Sequence, residues 1–104
     1  MGEKKIYTLD GHKIHSLNDF YREVTNVLLD GNGRCWGKNL DAFNDILRGG
    51  FGSLPTGGFV LRLKSSGRLK KALGVATYEI IIDIIKTHGV GGQEASDGVE
   101  LVLE

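Results

Sequence analysis

The sequence contains little cysteine and has no excess of charge of either sign. Cys35 is the single cysteine among 104 residues, so no disulfide can form within the chain. Thirteen basic and thirteen acidic side chains cancel, and the net charge therefore favours neither a nucleic-acid nor a membrane partner. Any electrostatic function must depend on a local arrangement of charges.

Long hydrophobic runs are also missing. The longest apolar-rich run, Ile80 to Ile85, is interrupted by Asp83, whereas a membrane-spanning helix needs about 20 apolar residues. The N-terminus is charged, and Ile6 stands where a myristoylation motif requires Ser or Thr. We therefore expect a cytoplasmic protein with no membrane partner, folded as one domain over residues 1–104.

Residues 31–45, GNGRCWGKNLDAFND, form a glycine-rich segment that leads into a helix. A nucleotide-binding P-loop needs a glycine five positions before its Gly-Lys pair, and Ser or Thr after the lysine. Asn32 and Asn39 occupy those two positions here. The segment therefore lacks the P-loop pattern, and we expect no cofactor.

Hydrophobic periodicity predicts strands alternating with pairs of helices. Apolar residues at helical spacing follow the N-caps Ser16 and Asn39. In the strand at 58–64, apolar residues on both faces favour a buried, central position. The predicted elements are, in order, a strand at 6–9, a helix from Ser16 closed by Asp30-Gly31, a helix from Asn39 that stops at Gly49-Gly50, a strand at 58–64, a short helix at 68–73 capped by Ser65 or Ser66, a helix at 76–88 and a strand at 99–103.

The segment 76–88 carries conflicting signals. Its isoleucines are β-branched and individually favour a strand, but its length exceeds that of a usual strand. Glu79 and Asp83 would also share one face of a helix. We therefore predict a helix. Because strands joined by helical crossovers pair in parallel, the predicted fold is a small α/β domain with a parallel sheet flanked by helices.

Cys35 would need a histidine base to act as a nucleophile. His12, His15 and His88 are available, but no local motif connects any of them to Cys35, and a lone cysteine is usually a packing residue. His12 and His15 also lack the paired spacing of metal ligands. We expect neither an enzyme nor a metal site.

A concentration of basic residues lies between positions 62 and 71. It could contact RNA or a nucleotide, but no aromatic residues are interleaved for stacking on bases. A solvated strand edge and helix face is the favoured interpretation, with a small RNA- or nucleotide-binding domain as an alternative. The basic residues are Arg62, Lys64, Arg68, Lys70 and Lys71.

Asp41 and Asp45 lie four residues apart on the second predicted helix, with Asn44 and Arg48 beside them. At that spacing the two carboxylates point about 40° apart. A convex helix surface has no walls to exclude water or shift a pKa, which disfavours acid-base catalysis. Two interpretations stay open: ordinary solvated aspartates, or carboxylates that insert into a cationic pocket of another protein. They lie opposite the predicted apolar face of Leu40, Phe43 and Leu47.

The run from Trp36 to Leu47, WGKNLDAFNDIL, resembles the motif of the barstar family, aromatic-Gly-x-Asn-Leu-Asp-Ala-aliphatic-x-Asp-x-Leu. The order of predicted elements resembles that family along nearly the whole chain. The resemblance implies a three-stranded parallel sheet flanked by about four helices. It also implies an intracellular inhibitor, not an enzyme, that binds a secreted or toxin ribonuclease of the barnase type as a monomer, one to one, without nucleic acid.

The resemblance further implies which residues bind the ribonuclease. Asp45 would occupy the pocket meant for an RNA phosphate, pairing with arginines and a histidine of the enzyme, and Asp41 would add a second contact. The fourth helix would contribute Asp83, unless Ile84 is the matching position. The other expected interface residues, on the loop at about 30–38 and the second helix, are Cys35, Trp36, Gly37, Asn39, Leu40, Asn44 and Gly49.

Three aromatic contacts of the family are missing. Cys35 stands where barstar has a tyrosine, and Asn44 and Gly50 each replace a tryptophan. The neutral net charge also removes the acidic field that speeds association with a basic nuclease. We therefore expect a partner other than barnase itself. An immunity module of the same fold with a different protein partner stays open as an alternative.

Overall fold

The computed structural model of the chain describes residues 4–29, 37, 39–48, 58–89, 91–93 and 97–104. Its elements follow the predicted order, and a 3-10 turn at Gly11–Lys13 follows the first strand. The elements are β1 (Ile6–Asp10), α1 (Leu17–Leu28), α2 (Leu40–Leu47), β2 (Phe59–Lys64), α3 (Ser66–Leu73), α4 (Val75–Thr87) and β3 (Val99–Leu103).

The three strands form one parallel sheet in the order β1-β2-β3. Tyr7 pairs with Leu61, which pairs in turn with Leu101. Both the parallel pairing and the central place of β2 are therefore confirmed. The predicted α/β fold, with a three-stranded parallel sheet flanked by four helices, is the one observed.

On the central strand β2, only one face is fully buried. Successive residues of a strand point to opposite faces, and Phe59, Leu61 and Leu63 of β2 are buried. Val60 on the opposite face is half-buried, so the prediction that both faces of β2 are buried is wrong. The reason is that charged residues share the face with Val60 and keep it hydrated. We call this the open face, and its charged members are Asp10, Arg62, Lys64, Glu100 and Glu104.

Helix α1 begins at the predicted cap. The Ser16 hydroxyl accepts a hydrogen bond from the Asp19 amide at 3.2 Å, and the Asp19 carboxylate accepts one from the His15 amide at 3.0 Å. This reciprocal pairing satisfies amides that the helix itself leaves without partners. The predicted closure of the helix at Asp30-Gly31 lies outside the described residues.

Helix α3 begins two residues before its predicted start, and neither serine caps it through its side chain. Ser65 is in the left-handed conformation, with φ of 55°, and makes no side-chain cap. The amide and the hydroxyl of Ser66 instead donate to the backbone carbonyl of Glu104, at 2.8 and 2.9 Å. The backbone carbonyl of Glu104 therefore takes the place of the predicted cap.

The isoleucine-rich segment is helical, as predicted. Ile81 and Ile85 are completely buried, whereas the intervening Asp83 is exposed. The four-residue spacing places the two buried side chains on one face, and tertiary burial of that face outweighs the preference of β-branched residues for strands. Across the described ranges, no helix has the length and apolar character required to cross a membrane.

Candidate functional site

Asn39 caps the N-terminus of helix α2, and it also forms a hydrogen bond to the residue two positions earlier. Its side-chain oxygen accepts a hydrogen bond from the Ala42 amide at 2.8 Å, and its side-chain nitrogen donates to the Gly37 carbonyl at 3.4 Å. A methyl group on Gly37 would lie 3.0 Å from that nitrogen, which is tight. The predicted N-cap is confirmed, and it fixes the first turn of α2 to the preceding chain.

The inner face of α2 anchors the helix in the core. Phe43 is fully buried, and its ring meets that of Phe20 edge to face, with 5.2 Å between the ring centroids. Ile46 and Leu47 are buried beside it, while Leu40 is only half-buried against the core. The buried face of α2 therefore differs slightly from the predicted one, because it includes Ile46 and leaves part of Leu40 exposed.

The outer face of α2 presents two carboxylates. Both Asp41 and Asp45 are exposed, and Asp45 pairs with Arg48 at 3.1 Å between Oδ1 and Nη1. The Asp45 side chain is still 58% accessible and that of Arg48 43%. Within the described residues Asp41 forms no ion pair. An exposed pair at this spacing contributes only about 0.2–0.5 kcal/mol, so Asp45 can exchange Arg48 for another cation.

Asn44 does not lie with the aspartates as the sequence predicted. It is half-buried, and its side-chain oxygen lies 2.6 Å from Nε2 of His88. The other ring nitrogen of His88, Nδ1, lies 2.6 Å from the Asp97 carboxylate. His88 itself is completely buried. The structure therefore directs the Asn44 amide into the fold, towards α4 and the residues that precede β3.

His88 was considered in the sequence only as a base for Cys35, and its buried role was missed. A signal for it exists, because His88 follows Ile85 by three residues and Ile81 by seven, and so falls on the buried stripe of α4. A polar residue on an apolar stripe needs hydrogen-bond partners. Their identity, Asn44 and Asp97, could be read only from the fold.

Asp83 lies on a different side of α4 from His88. It is exposed and lines a groove of about 1120 Å³ between α4 and β3. His88 follows Asp83 by five positions, which places them about 140° apart around the helix axis. None of the described residues that line this groove belongs to α2. Ile84, the alternative position, is half-buried and packs against the core. A contact of Asp83 with a partner stays a prediction.

The basic segment is spread over β2 and α3. Arg62 lies 3.4 Å from the Glu104 carboxylate, and Lys70 is 5.8 Å from the centre of the Tyr78 ring. Lys64, Arg68 and Lys71 are exposed. Two of the five cations thus have partners within the fold, which is typical of a solvated surface. These contacts neither support nor contradict the RNA-binding alternative.

Several sequence-predicted residues cannot be placed. Cys35, Trp36 and Gly49 lie outside the described residues. In the part of the chain that is described, no group of three or more His, Cys, Asp and Glu side chains could hold a metal ion. The site that the structure does bring together consists of the Asn39 cap, the exposed Asp41 and Asp45, and the inward-facing Asn44.

Comparison with known proteins identifies the family. A protein-family model described as Barstar (barnase inhibitor) matches residues 4–103, which is nearly the whole chain. No curated protein matches the sequence significantly.

Proposed function

The chain belongs to the barstar family, that of the barnase inhibitors, and from this premise we propose that it inhibits a barnase-type ribonuclease with the outer face of α2. In this proposal Asp45 occupies the pocket in which the enzyme binds an RNA phosphate. Asp41 makes a second contact, with cationic groups at the rim of that pocket. The chain acts inside the cell as a binding protein and catalyses no reaction.

One observation carries the proposal: two exposed carboxylates lie on one side of a short helix whose other side is anchored in the core. Phe43 is fully buried and Asn39 caps the first turn, so α2 is held in place before any partner binds. A preorganised surface loses little conformational entropy on association. A carboxylate on such a surface carries the single negative charge of a phosphodiester, and it suits a pocket lined by arginine or histidine.

The ion pair within α2 does not prevent this contact. The exposed pair between Asp45 and Arg48 is worth about 0.2–0.5 kcal/mol. Double-mutant cycles give coupling energies of about 1.5–7 kcal/mol for close charge pairs across an interface, and the barnase-barstar complex is itself the source of that range. The partner's cations therefore outcompete Arg48 for the Asp45 carboxylate once water is excluded.

The remaining predicted interface residues belong to the proposal as supporting contacts around the two aspartates. Asn39 and Gly37 shape the start of α2, and Leu40 is half-exposed beside Asp41. We propose a complex of one inhibitor with one enzyme. The supporting residues are Cys35, Trp36, Gly37, Asn39, Leu40, Asn44, Gly49 and Asp83.

A panel of microbial ribonucleases tests the proposal. The chain is titrated into each enzyme while RNA cleavage is followed, beside the variants Asp45→Asn and Glu104→Gln. Glu104 is exposed, lies beside Arg62 on the open face of the sheet and does not line the groove of Asp83, so its substitution makes the same change of charge away from the proposed interface. We expect stoichiometric inhibition of at least one enzyme, weakened about 30-fold to several-thousand-fold by Asp45→Asn and unchanged by Glu104→Gln.

Other outcomes separate the alternatives. Equal inhibition by the wild type and Asp45→Asn would overturn the role of Asp45. Inhibition of no ribonuclease, with another protein bound, would support the immunity module instead. RNA affinity that falls steeply with salt and is lost on replacing Lys70 and Lys71 would favour the RNA-binding alternative.

A further inference from the structure

His88 lies where α2, α4 and the start of β3 meet. Its side chain is completely buried, and both ring nitrogens have polar neighbours at 2.6 Å, the Asp97 carboxylate and the Asn44 amide. Its backbone carbonyl accepts a hydrogen bond from the Val99 amide at 2.9 Å. His88 therefore connects α2 to α4 and to the first residue of β3.

The connection to α2 is compatible with either charge state of the ring. A carboxylate only accepts hydrogen bonds, so Nδ1 carries a proton and donates it to Asp97. When the ring is charged, Nε2 donates to the side-chain oxygen of Asn44. When the ring is neutral, Nε2 accepts from the amide nitrogen after the amide has turned over. The Asn44 amide can satisfy both states because it has a donor end and an acceptor end.

This hydrogen bond adds a directional constraint on the rotation of α2 to the packing of the core. Phe43 and Ile46 anchor the helix through apolar contacts, which lack the defined donor-acceptor angle of a hydrogen bond. A hydrogen bond prefers a narrow range of angles. Rotation matters because a carboxylate about 6 Å from the helix axis moves about 1 Å for every 10° of rotation. Asn44 is the immediate neighbour of Asp45 and follows Asp41 by three residues.

We propose that His88 is a positioning residue of the ribonuclease-binding surface. Its Nε2 holds Asn44, and through Asn44 it sets the rotation of α2 at which Asp41 and Asp45 face the enzyme. The proposal rests on the proposed function of those two aspartates. It also gives Asn44 an inward role, in addition to any contact that it makes with the partner.

Two substitutions of His88 separate positioning from simple stability. In His88→Gln the side-chain amide reaches the place of Nε2 and can bond Asn44, but the contact with Asp97 is lost. In His88→Asn the shorter amide reaches the place of Nδ1 and can bond Asp97, but the contact with Asn44 is lost. Each variant removes one of the two hydrogen bonds of the buried ring. The bond to the Asp97 carboxylate is charge-assisted and the stronger of the two, so His88→Gln should lower the urea midpoint of unfolding at least as much as His88→Asn.

Inhibition should distinguish the two variants. We expect His88→Asn to weaken inhibition at least about tenfold, which corresponds to 1.4 kcal/mol, and His88→Gln to inhibit within about threefold of the wild type. The proposal is overturned if the two variants inhibit equally. It is also overturned if the loss of inhibition in each simply follows its loss of stability.

Hydrogen exchange tests the same bond without any ribonuclease. The amides of Phe43 and Ile46 on α2 should exchange faster in His88→Asn than in His88→Gln, and equal rates would overturn the positioning role. This result does not depend on inhibition, so a failure of the proposed function is distinguishable from a failure of the positioning role.

A further variant covers the case in which a His88 substitution prevents folding. Asn44→Ala removes the amide and leaves the contact between His88 and Asp97. It should speed exchange on α2 and weaken inhibition, and adding His88→Asn should weaken inhibition no further. Unchanged exchange in Asn44→Ala, or additive effects in the double variant, would overturn the proposal.

Discussion

Arg48 competes with the ribonuclease for Asp45. The two side chains form an ion pair at 3.1 Å, three residues apart at the end of α2, and both are substantially exposed. In the proposed complex Asp45 enters a cationic pocket, so its contact with Arg48 is lost and the Arg48 cation lies close to cations of like charge. Replacing Arg48 with glutamine should therefore tighten inhibition.

The magnitude follows from two contributions. The ion pair that no longer has to be broken is worth about 0.2–0.5 kcal/mol. Repulsion between Arg48 and one enzyme cation about 6 Å away, in the high dielectric of an exposed rim, adds about 0.7 kcal/mol. Together they give about 0.9–1.2 kcal/mol, so Arg48→Gln should lower the inhibition constant about five- to eightfold.

Arg22→Gln is the matched control. Arg22 pairs with Asp19 at 3.0 Å, again three residues apart, but on α1. Both substitutions remove one cation and change the net charge equally, so long-range steering of the enzyme cancels in the comparison. Inhibition constants are measured for both variants at low and at high salt. The gain should be specific to Arg48→Gln and should shrink as salt screens the exposed charges. Equal gains from both substitutions, or weaker inhibition by Arg48→Gln, would refute the reasoning.

Two further predictions concern the stability of the α2 scaffold. Phe43→Ala removes a fully buried ring that packs on Phe20 and should lower the free energy of unfolding by about 3–5 kcal/mol; a urea midpoint close to that of the wild type would contradict this packing. Asn39→Ala removes the helix cap and should cost about 0.5–2 kcal/mol, whereas Asn39→Ser should retain most of the stability. If urea unfolding gave equal losses of stability for the two Asn39 variants, the missing helix cap would not be the cause of the destabilisation.

Local patterns were sufficient to predict the elements of the fold. Ser16 and Asn39 cap helices because their side-chain oxygens reach amides within the first turn, an interaction decided by a few neighbouring residues. The parallel sheet followed from strands separated by helices. The isoleucine run of α4 was harder, and its length, together with the helical face that Glu79 and Asp83 would share, gave the correct answer.

The errors arose where distant parts of the chain meet. Asn44 was placed on the outer surface because periodicity describes one helix alone, whereas its partner His88 is 44 residues away. Similarly, the carbonyl of Glu104, 38 residues from Ser66, replaced the serine cap predicted for α3. The open face of β2 is an exception, because Arg62 and Lys64 alternate with the buried residues of the same strand and the sequence alone places them on the face of Val60.

Competition with phosphate tests the central claim most directly, namely that Asp45 occupies the phosphate pocket of the ribonuclease. The dissociation constant of the complex is measured by calorimetry in increasing inorganic phosphate, with chloride added to hold the ionic strength constant. We expect the apparent dissociation constant of the wild type to rise in proportion to phosphate once the pocket begins to fill. For Asp45→Asn, whose side chain has no charge to place there, the rise should be much smaller. A wild-type dissociation constant that does not change with phosphate at constant ionic strength would contradict the account.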